Sequence, residues 1–277
     1  MYLNLKGKLL SLETAVIMGI ANYTNDSFFD GGNYNHLDTL LQRVETLLAE
    51  GSDIIDIGAV STHPGSTDIS EKKEKQRIKE AIRIILKHFP DAILSVDTWR
   101  ASVAEMAVEE GAAMINDISG GTFDIKMIST IGKLKVPYCL MHTSAKPKIM
   151  HLNTQYDNLI ADMLYFFGKK LQQLKETAVS DVIIDPGFGF GKTIEQNFHV
   201  LHNLEAFATF QLPLLVGISR KSMIYKTLNT TPEQALNGTI ALHAYALMKG
   251  ARILRVHDVK EAKETITLGN FYFSSKN

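Results

Sequence analysis

Eight short apolar runs, each followed by a stretch of helical period, limit what this chain can fold into more than any other feature. They cover 15–21, 53–59, 92–98, 114–119, 136–142, 182–187, 213–219 and 253–258. Near-continuous apolar runs of this length read as strands covered on both faces. Between the first two, Leu37, Leu40, Leu41, Val44, Leu47 and Leu48 share one helical face. The stretch 71–89 is charged outside and aliphatic along Ile78, Ile82, Ile85 and Leu86. Gly51 and Gly111 stand where helix C-caps belong, and Thr231-Pro232 is expected to open a helix with proline in its first turn. Strands alternating with helices imply parallel strands joined by right-handed crossovers. The count of eight favours a closed barrel over a doubly wound open sheet. Gly19-Ile20-Ala21-Asn22 also lacks the glycine fingerprint of a dinucleotide-binding sheet. The predicted class is α/β, a (β/α)8 TIM barrel occupying 1–277 as a single domain. Alternating apolar and polar residues over 1–12 add a short N-terminal β extension.

Composition narrows the function by exclusion. With 29 basic against 30 acidic residues, the chain has no electrostatic footprint for nucleic acid or an anionic membrane. No apolar stretch nears the ~18 residues that span a bilayer. Cys139, the single cysteine, lies in an apolar run and suits a reducing compartment. No targeting segment is visible, so a cytoplasmic location is expected.

In a barrel, chemistry collects at the C-terminal ends of the strands. Those ends carry Asn22, Ser61-Thr62, Asp97, Asn116-Asp117, Met141-His142, Asp185, Ser219-Arg220-Lys221, and Arg255 with His257. Asp97, Asn116 and Asp185 suit the donor/acceptor edge of a flat heterocycle. Arg220, Lys221, Arg255 and His257 supply positive charge for phosphate or carboxylate. Together they suggest a heterocycle bearing an anionic leaving group. Asp56, inside the second strand, reads either as part of a polar barrel layer or as support for the site.

Other motifs carry less. Gly187-Phe-Gly-Phe-Gly191-Lys192-Thr193 resembles a phosphate-binding loop but fails by one residue, Pro186 standing where the first glycine belongs. It remains an anion or substrate loop, with Phe188 and Phe190 as apolar walls. His199 and His202 lie three apart with no accompanying carboxylate–histidine set, which reads as a solvated face. Trp99 and Met106 read as packing. Hydrolytic zinc chemistry is disfavoured by the lack of His-x-His at the first strand and of His-Glu-x-x-His.

Taken in order, these residues resemble the dihydropteroate synthase family over essentially the whole chain. The likeness runs through 18–28 with Asp30-Gly-Gly32, Asp56-Ile-Gly58, Ser61-Thr-His-Pro-Gly65, Ser95-Val-Asp-Thr98 and Ile115-Asn-Asp-Ile118. It continues through 184–191, Gly217-Ile-Ser-Arg-Lys-Ser222 and Arg255-Val-His257. The resemblance implies a (β/α)8 barrel and a step of folate synthesis. In that step 6-hydroxymethyl-7,8-dihydropterin pyrophosphate and 4-aminobenzoate give 7,8-dihydropteroate and pyrophosphate. It further implies that Asp97, Asn116, Asp185 and Lys221 hold the pterin, with Met141 and Gly217 near the ring and Arg255 against its face. Asn22, Arg255 and a protonated His257 take the pyrophosphate, Asn22 beside Mg2+. Phe190, Ser222 and Thr62 frame 4-aminobenzoate, and Asp26 offers negative charge near the pterin cation. A homodimer is implied, for which the apolar helix 235–248 (Ala241, Ala244, Leu247, Met248) offers a surface, and so is competition by sulfonamides. Three places depart from the family: His63 where arginine is usual, Asn25 where proline is usual, and the altered segment Met141-His-Thr-Ser-Ala145. An ordinary histidine is mostly neutral at pH 7, so His63 is expected to weaken turnover and make it pH-sensitive. A methyltetrahydrofolate-binding methyltransferase domain and a non-catalytic pterin-binding paralogue are the alternatives.

Overall fold

The computed structural model describes residues 1–23, 36–60, 69–146, 149–150 and 154–275. Two strands, β1 (Tyr2–Leu5) and β2 (Lys8–Ser11), pair antiparallel as a hairpin. Its two-residue turn places Lys6 at φ 53° and Gly7 at φ 87°, both in the left-handed region that tight hairpins favour. Eight parallel strands then close a barrel: β3 (Val16–Asn22), β4 (Ile54–Gly58), β5 (Leu94–Asp97), β6 (Met114–Asp117), β7 (Tyr138–Met141), β8 (Val182–Asp185), β9 (Leu214–Val216) and β10 (Ala251–Val256). Each pairs with the next in sequence, and β10 closes on β3.

Around the barrel run α1 (His36–Ala49), α2 (Glu71–His88), α3 (Ala101–Glu110), α4 (Met127–Leu134), α5 (Leu159–Glu176), α6 (Ile194–His202), α7 (Ser222–Tyr225), α8 (Leu236–Met248) and α9 (Val259–Ser274). Local chemistry sets their ends. Ser70 caps α2 by accepting from Lys73 N, with Glu71 and Glu74 in the first turn and Lys87 and His88 in the last, as the helix dipole favours. Gly111 ends α3 at φ 124°, a conformation in which a side chain would be strained. The expectation for Thr231-Pro232 is corrected. Helix α8 begins only at Leu236, and 231–235 forms a separate turn with its own bonds, Gln234 N to Thr231 O and Ala235 N to Pro232 O. That turn's Pro232 and Glu233 carbonyls accept from Arg220, a tertiary contact invisible in local sequence.

Strand parity divides the core in two. Ile55, Ile57, Val96, Ile115, Leu140, Ile184, Val216 and Leu254 face outward and pack under the helices. Met18, Ile54, Met114, Cys139, Ile183, Leu215 and Ile253 face inward and fill the N-terminal half of the lumen. Leu3, Leu5 and Leu12 of the hairpin region join that inner cluster and close the barrel from below. Among the described residues, no helix is long and apolar enough to cross a membrane.

Candidate active site

Continuing along the inward face of each strand, apolar residues give way to polar ones. Asp56 follows Ile54, Asn116 follows Met114, Asp185 follows Ile183 and Arg255 follows Ile253, each two residues on. In a strand, residues two apart share a face. Strand pairing sets Asp97 beside Asn116 and beside Gly58, and sets Met141 beside Asp185. The structure therefore brings Asp97, Asn116, Met141, Asp185 and Arg255 to one lumen mouth.

At its centre lies an ion cluster. Arg255 donates from Nε to Asp56 Oδ2 at 2.7 Å and from Nη2 to Asp97 Oδ2 at 3.0 Å. Asn116 Nδ2 donates to the same Asp56 oxygen at 3.0 Å. Asp56, left open between two readings by the sequence, is thus the fully buried hub of the floor. An acid at an inward position of an otherwise apolar strand was its one sequence signal. The other oxygen of Asp56, Asn116 Oδ1 and Ser95 Oγ have no protein partner, although buried. Unpaired buried acceptors are costly, and ligands or water normally satisfy them.

Burial raises the Asp97 pKa against the opposing charge of Arg255, and raises that of Asp185 against Lys221 and the Gly187 N–H. That N–H donates to Asp185 Oδ1 at 2.7 Å. Burial works against the Arg255 cation too, but Asp56 and Asp97 outweigh it and hold its pKa above the ordinary value. Lys221 is pushed down to about 8 by burial, with Asp185 opposing. Its ammonium donates to Phe188 O and lies 4.7 Å from the centre of the Phe190 ring.

The segment Ser219-Arg220-Lys221 splits its charges. Arg220 has left-handed backbone (φ 54°), and its side chain makes a two-point ion pair with Asp258 at 2.8 and 2.7 Å. With its remaining bonds going to Pro232 and Glu233, Arg220 is a strut, which corrects its expected place among the anion-binding cations. Asp117 is corrected likewise. It faces the helical layer, accepts from Tyr138 OH at 2.6 Å and from the Ser119 and Gly121 amides, and shapes the following turn. Phe188 is no wall of the site, because its ring is wholly buried in the core, whereas Phe190 remains half-buried. Lys192 and Thr193 of the loop take no anion-facing position. The lysine is buried on carbonyls, and the threonine forms a capping box with Gln196 at the start of α6.

His257 stands at the open mouth. Ser219 Oγ accepts its backbone N–H at 3.2 Å and lies 3.1 Å from its Nδ1, while Arg43 Nη2 holds its carbonyl at 2.6 Å. Its protein surroundings and then the Arg255 charge lower its pKa, so the ring is neutral at pH 7 before any anion is bound. In the tautomer whose Nδ1 accepts the Ser219 hydroxyl proton, Nε2–H is left as a donor.

Asn22 is exposed at the end of β3, with its Oδ1 close to Gly58. Gly217 lies beside Arg255, whose Cβ is 3.8 Å from where a Gly217 side chain would begin. Ser222 begins α7. Asp26, Thr62 and His63, with Asn25 and Ser61, lie outside the described residues. His199 and His202 are exposed on α6, and Trp99 packs edge-on to Phe123 at 6.3 Å. Among the described residues, no group of three or more His, Cys, Asp or Glu side chains is placed to hold a metal ion.

A closed parallel barrel with buried acids, an amide and cations converging at its C-terminal mouth defines a (β/α)8-barrel enzyme with a site for a polar heterocycle. The family described as pterin binding enzyme matches residues 18–257. A dihydropteroate synthase of Clostridium beijerinckii is 43% identical over 252 residues, covering 90% of this chain and 91% of that one. The Yersinia pestis dihydropteroate synthase, solved in a sulfonamide drug complex, superposes with a TM-score of 0.92 at 39% identity, covering 99% of this chain and all of the other. The Xanthomonas albilineans enzyme in complex with 7,8-dihydropteroate gives 0.89 at 30% identity, with 98% of both chains covered. The chain belongs to the pterin-binding enzyme family, among its dihydropteroate synthases.

Proposed function

We propose that the protein joins 6-hydroxymethyl-7,8-dihydropterin pyrophosphate to 4-aminobenzoate, releasing pyrophosphate and 7,8-dihydropteroate. The observation that carries this reading is the inward row Asp97, Asn116, Asp185 and Arg255, with Lys221 beside it, in a chain of this family. Asn116 Oδ1 and the carboxylates supply acceptors for the ring's N–H groups, and Lys221 supplies a donor. Arg255 is fixed by two carboxylates before any substrate arrives, so its charge costs little reorganisation. Met141 and Gly217 leave a smooth, close wall for the ring.

In the reaction the bond from the pterin methylene to the pyrophosphate oxygen breaks, and its electron pair leaves with the anion. Arg255 and the Nε2–H of His257 stabilise that anion, with Asn22 at the mouth. The aryl nitrogen then forms the C–N bond and loses a proton to water. A neutral aryl amine needs no strong base. Phe190, Ser222 and Thr62 frame the amine, Asp26 supplies negative charge near the cation, and His63 tunes turnover. One amide oxygen, that of Asn22, fits Mg2+ held mainly by water and phosphate oxygens, as this ion prefers. Bound there, Mg2+ supplies charge neutralisation for the leaving pyrophosphate.

The protein is further proposed to be a cytoplasmic homodimer. On α8, Ala241, Ala244, Tyr245 and Met248 form one exposed stripe, and on α9 Leu268 and Phe271 are exposed. Leu247, expected on that surface, instead faces the core.

The test is pyrophosphate release by purified protein with the pterin pyrophosphate and Mg2+, with and without 4-aminobenzoate. Amine-dependent release with dihydropteroate as product is expected. Pterin binding without any release would assign the chain to a non-catalytic binder.

A further inference from the structure

We propose that Lys192 is a positioning residue, which sets the Phe190 wall of the aryl-amine site by holding the 186–191 loop from behind. The inference rests on the synthase reading, which puts the amine against Phe190. The loop joins β8 to α6 and has no regular structure of its own. Gly187, Gly189 and Gly191 all take left-handed φ of 70°, 79° and 60°. Something other than a backbone ladder must fix its shape.

Lys192 does much of this. Its buried ammonium donates to Gly187 O at 3.0 Å and Phe190 O at 3.1 Å, and lies 3.1 Å from His142 Nδ1 and 3.4 Å from His142 O. In its ammonium form Lys192 can only donate, so His142 Nδ1 then accepts and the ring proton sits on Nε2. The His142 ring is itself held edge-on to Phe166, 5.0 Å away. Burial lowers the Lys192 pKa to about 7 against the pull of Asp185. A lysine nitrogen is nonetheless kept in the interior on these close contacts, where an apolar residue would be cheaper unless those bonds are needed.

From the front, Lys221 grips Phe188 O and covers the Phe190 ring. The loop is therefore held between two lysines, and only the front one faces the site. When Lys221 turns to the pterin, the front tie is given up and Lys192 keeps Phe190 in place. Tyr156 OH on Gly191 O (2.8 Å) and Asn197 Oδ1 on Gly189 N (2.6 Å) secure the neighbouring residues but not Phe190 itself.

The experiment joins nitrogen-15 NMR of the His142 ring in the whole protein to steady-state kinetics of Lys192→Met. Below pH 7, where Lys192 is an ammonium, the ring should show an unprotonated Nδ1 and a protonated Nε2; a protonated Nδ1 there overturns the contact. In Lys192→Met, the KM for 4-aminobenzoate should rise by about tenfold to a hundredfold, while the Kd for the pterin pyrophosphate stays within about twofold. The added Phe190→Leu change should cost less in the variant than in the wild type, because both act on one wall. Equal loss for both substrates, or no change in a folded variant, overturns the proposal. If Lys192→Met does not fold, Lys192→Gln is measured and the same split is required. A wild-type protein that forms no dihydropteroate defeats the synthase reading instead, and the ring spectrum separates the two failures.

Discussion

The two ends of the barrel are cut from the same strands, yet they hold opposite chemistry. At the N-terminal end Ile54, Met114, Ile183 and Ile253 interdigitate with Leu3 and Leu5 of the hairpin. Two residues further along the same inward faces stand Asp56, Asn116, Asp185 and Arg255, with one buried oxygen each of Asp56 and Asn116 unpaired, as is the neighbouring Ser95 Oγ. Burying one large aliphatic side chain contributes roughly 1.5–3 kcal/mol. An unpaired buried polar atom costs about 1–3 kcal/mol. The apolar end thus offsets what the charged end costs, and a pleat of period two lets neighbouring layers specialise without new elements.

The comparison breaks most visibly at Arg255. Arg255→Met strands Asp56 and Asp97 without their counter-charge. Dihydropteroate formation is expected to fall by at least about a hundredfold, as when a transition-state donor is lost. Stability should fall by about 3–5 kcal/mol in denaturant unfolding, the usual result of breaking a buried pair from one side. Adding Asp56→Asn should recover part of the stability and none of the turnover. Recovery of turnover in the double variant would make Arg255 a prop of the floor and nothing more.

The opposite end gives the next largest effect. Ile183→Ala opens a cavity in the apolar layer and should cost about 2–5 kcal/mol, with kcat unchanged at temperatures where the variant is folded. A matching loss of kcat would show that the two ends are coupled, and the division of labour would fail.

What could be read in the sequence follows the same divide. The strands were legible because eight apolar runs and their intervening amphipathic helices carry strong periodic signals, and they set the barrel. Asp97, Asn116, Asp185 and Arg255 were legible as strand ends. Asp117 was misplaced because a list of strand ends ignores parity. Counting from Ile115, which faces the helices, turns Asp117 outward as well. Arg220, Phe188 and Lys192 were not legible, because a loop reads the same whichever way its side chains turn. Only the distant partners Asp258, Pro232, Glu233 and His142 decide their direction. The neutral His257 likewise depends on surroundings that only the folded mouth supplies, with the Arg255 charge second.

Acid sharpens the comparison, since the lumen and the helical shell should titrate in opposite senses. His243 of α8 is 1% exposed, its Nε2 has no partner, and burial lowers its pKa to about 4. The unfolded chain, with histidine near ~6.5, therefore takes up this proton first as pH falls. Stability from keeping His243 neutral is present above that value and is lost between pH 6.5 and 4, where only the unfolded state is protonated. The loss should reach about 2 kcal/mol by pH 5. His142, also buried and lowered, adds in the same direction. Asp97 and Asp185 have raised pKa values, so the folded state takes up their protons first and gains stability as pH falls. Unfolding of the wild type and of His243→Gln should thus be compared at pH 7 and pH 5. The variant is expected to gain about 2 kcal/mol relative to wild type at the lower pH. Asp97→Asn should move the other way, because it removes a group whose protonation favours the fold. If both variants shift in the same sense, the pH dependence comes from elsewhere in the chain, and the lumen and shell are not electrostatically distinct.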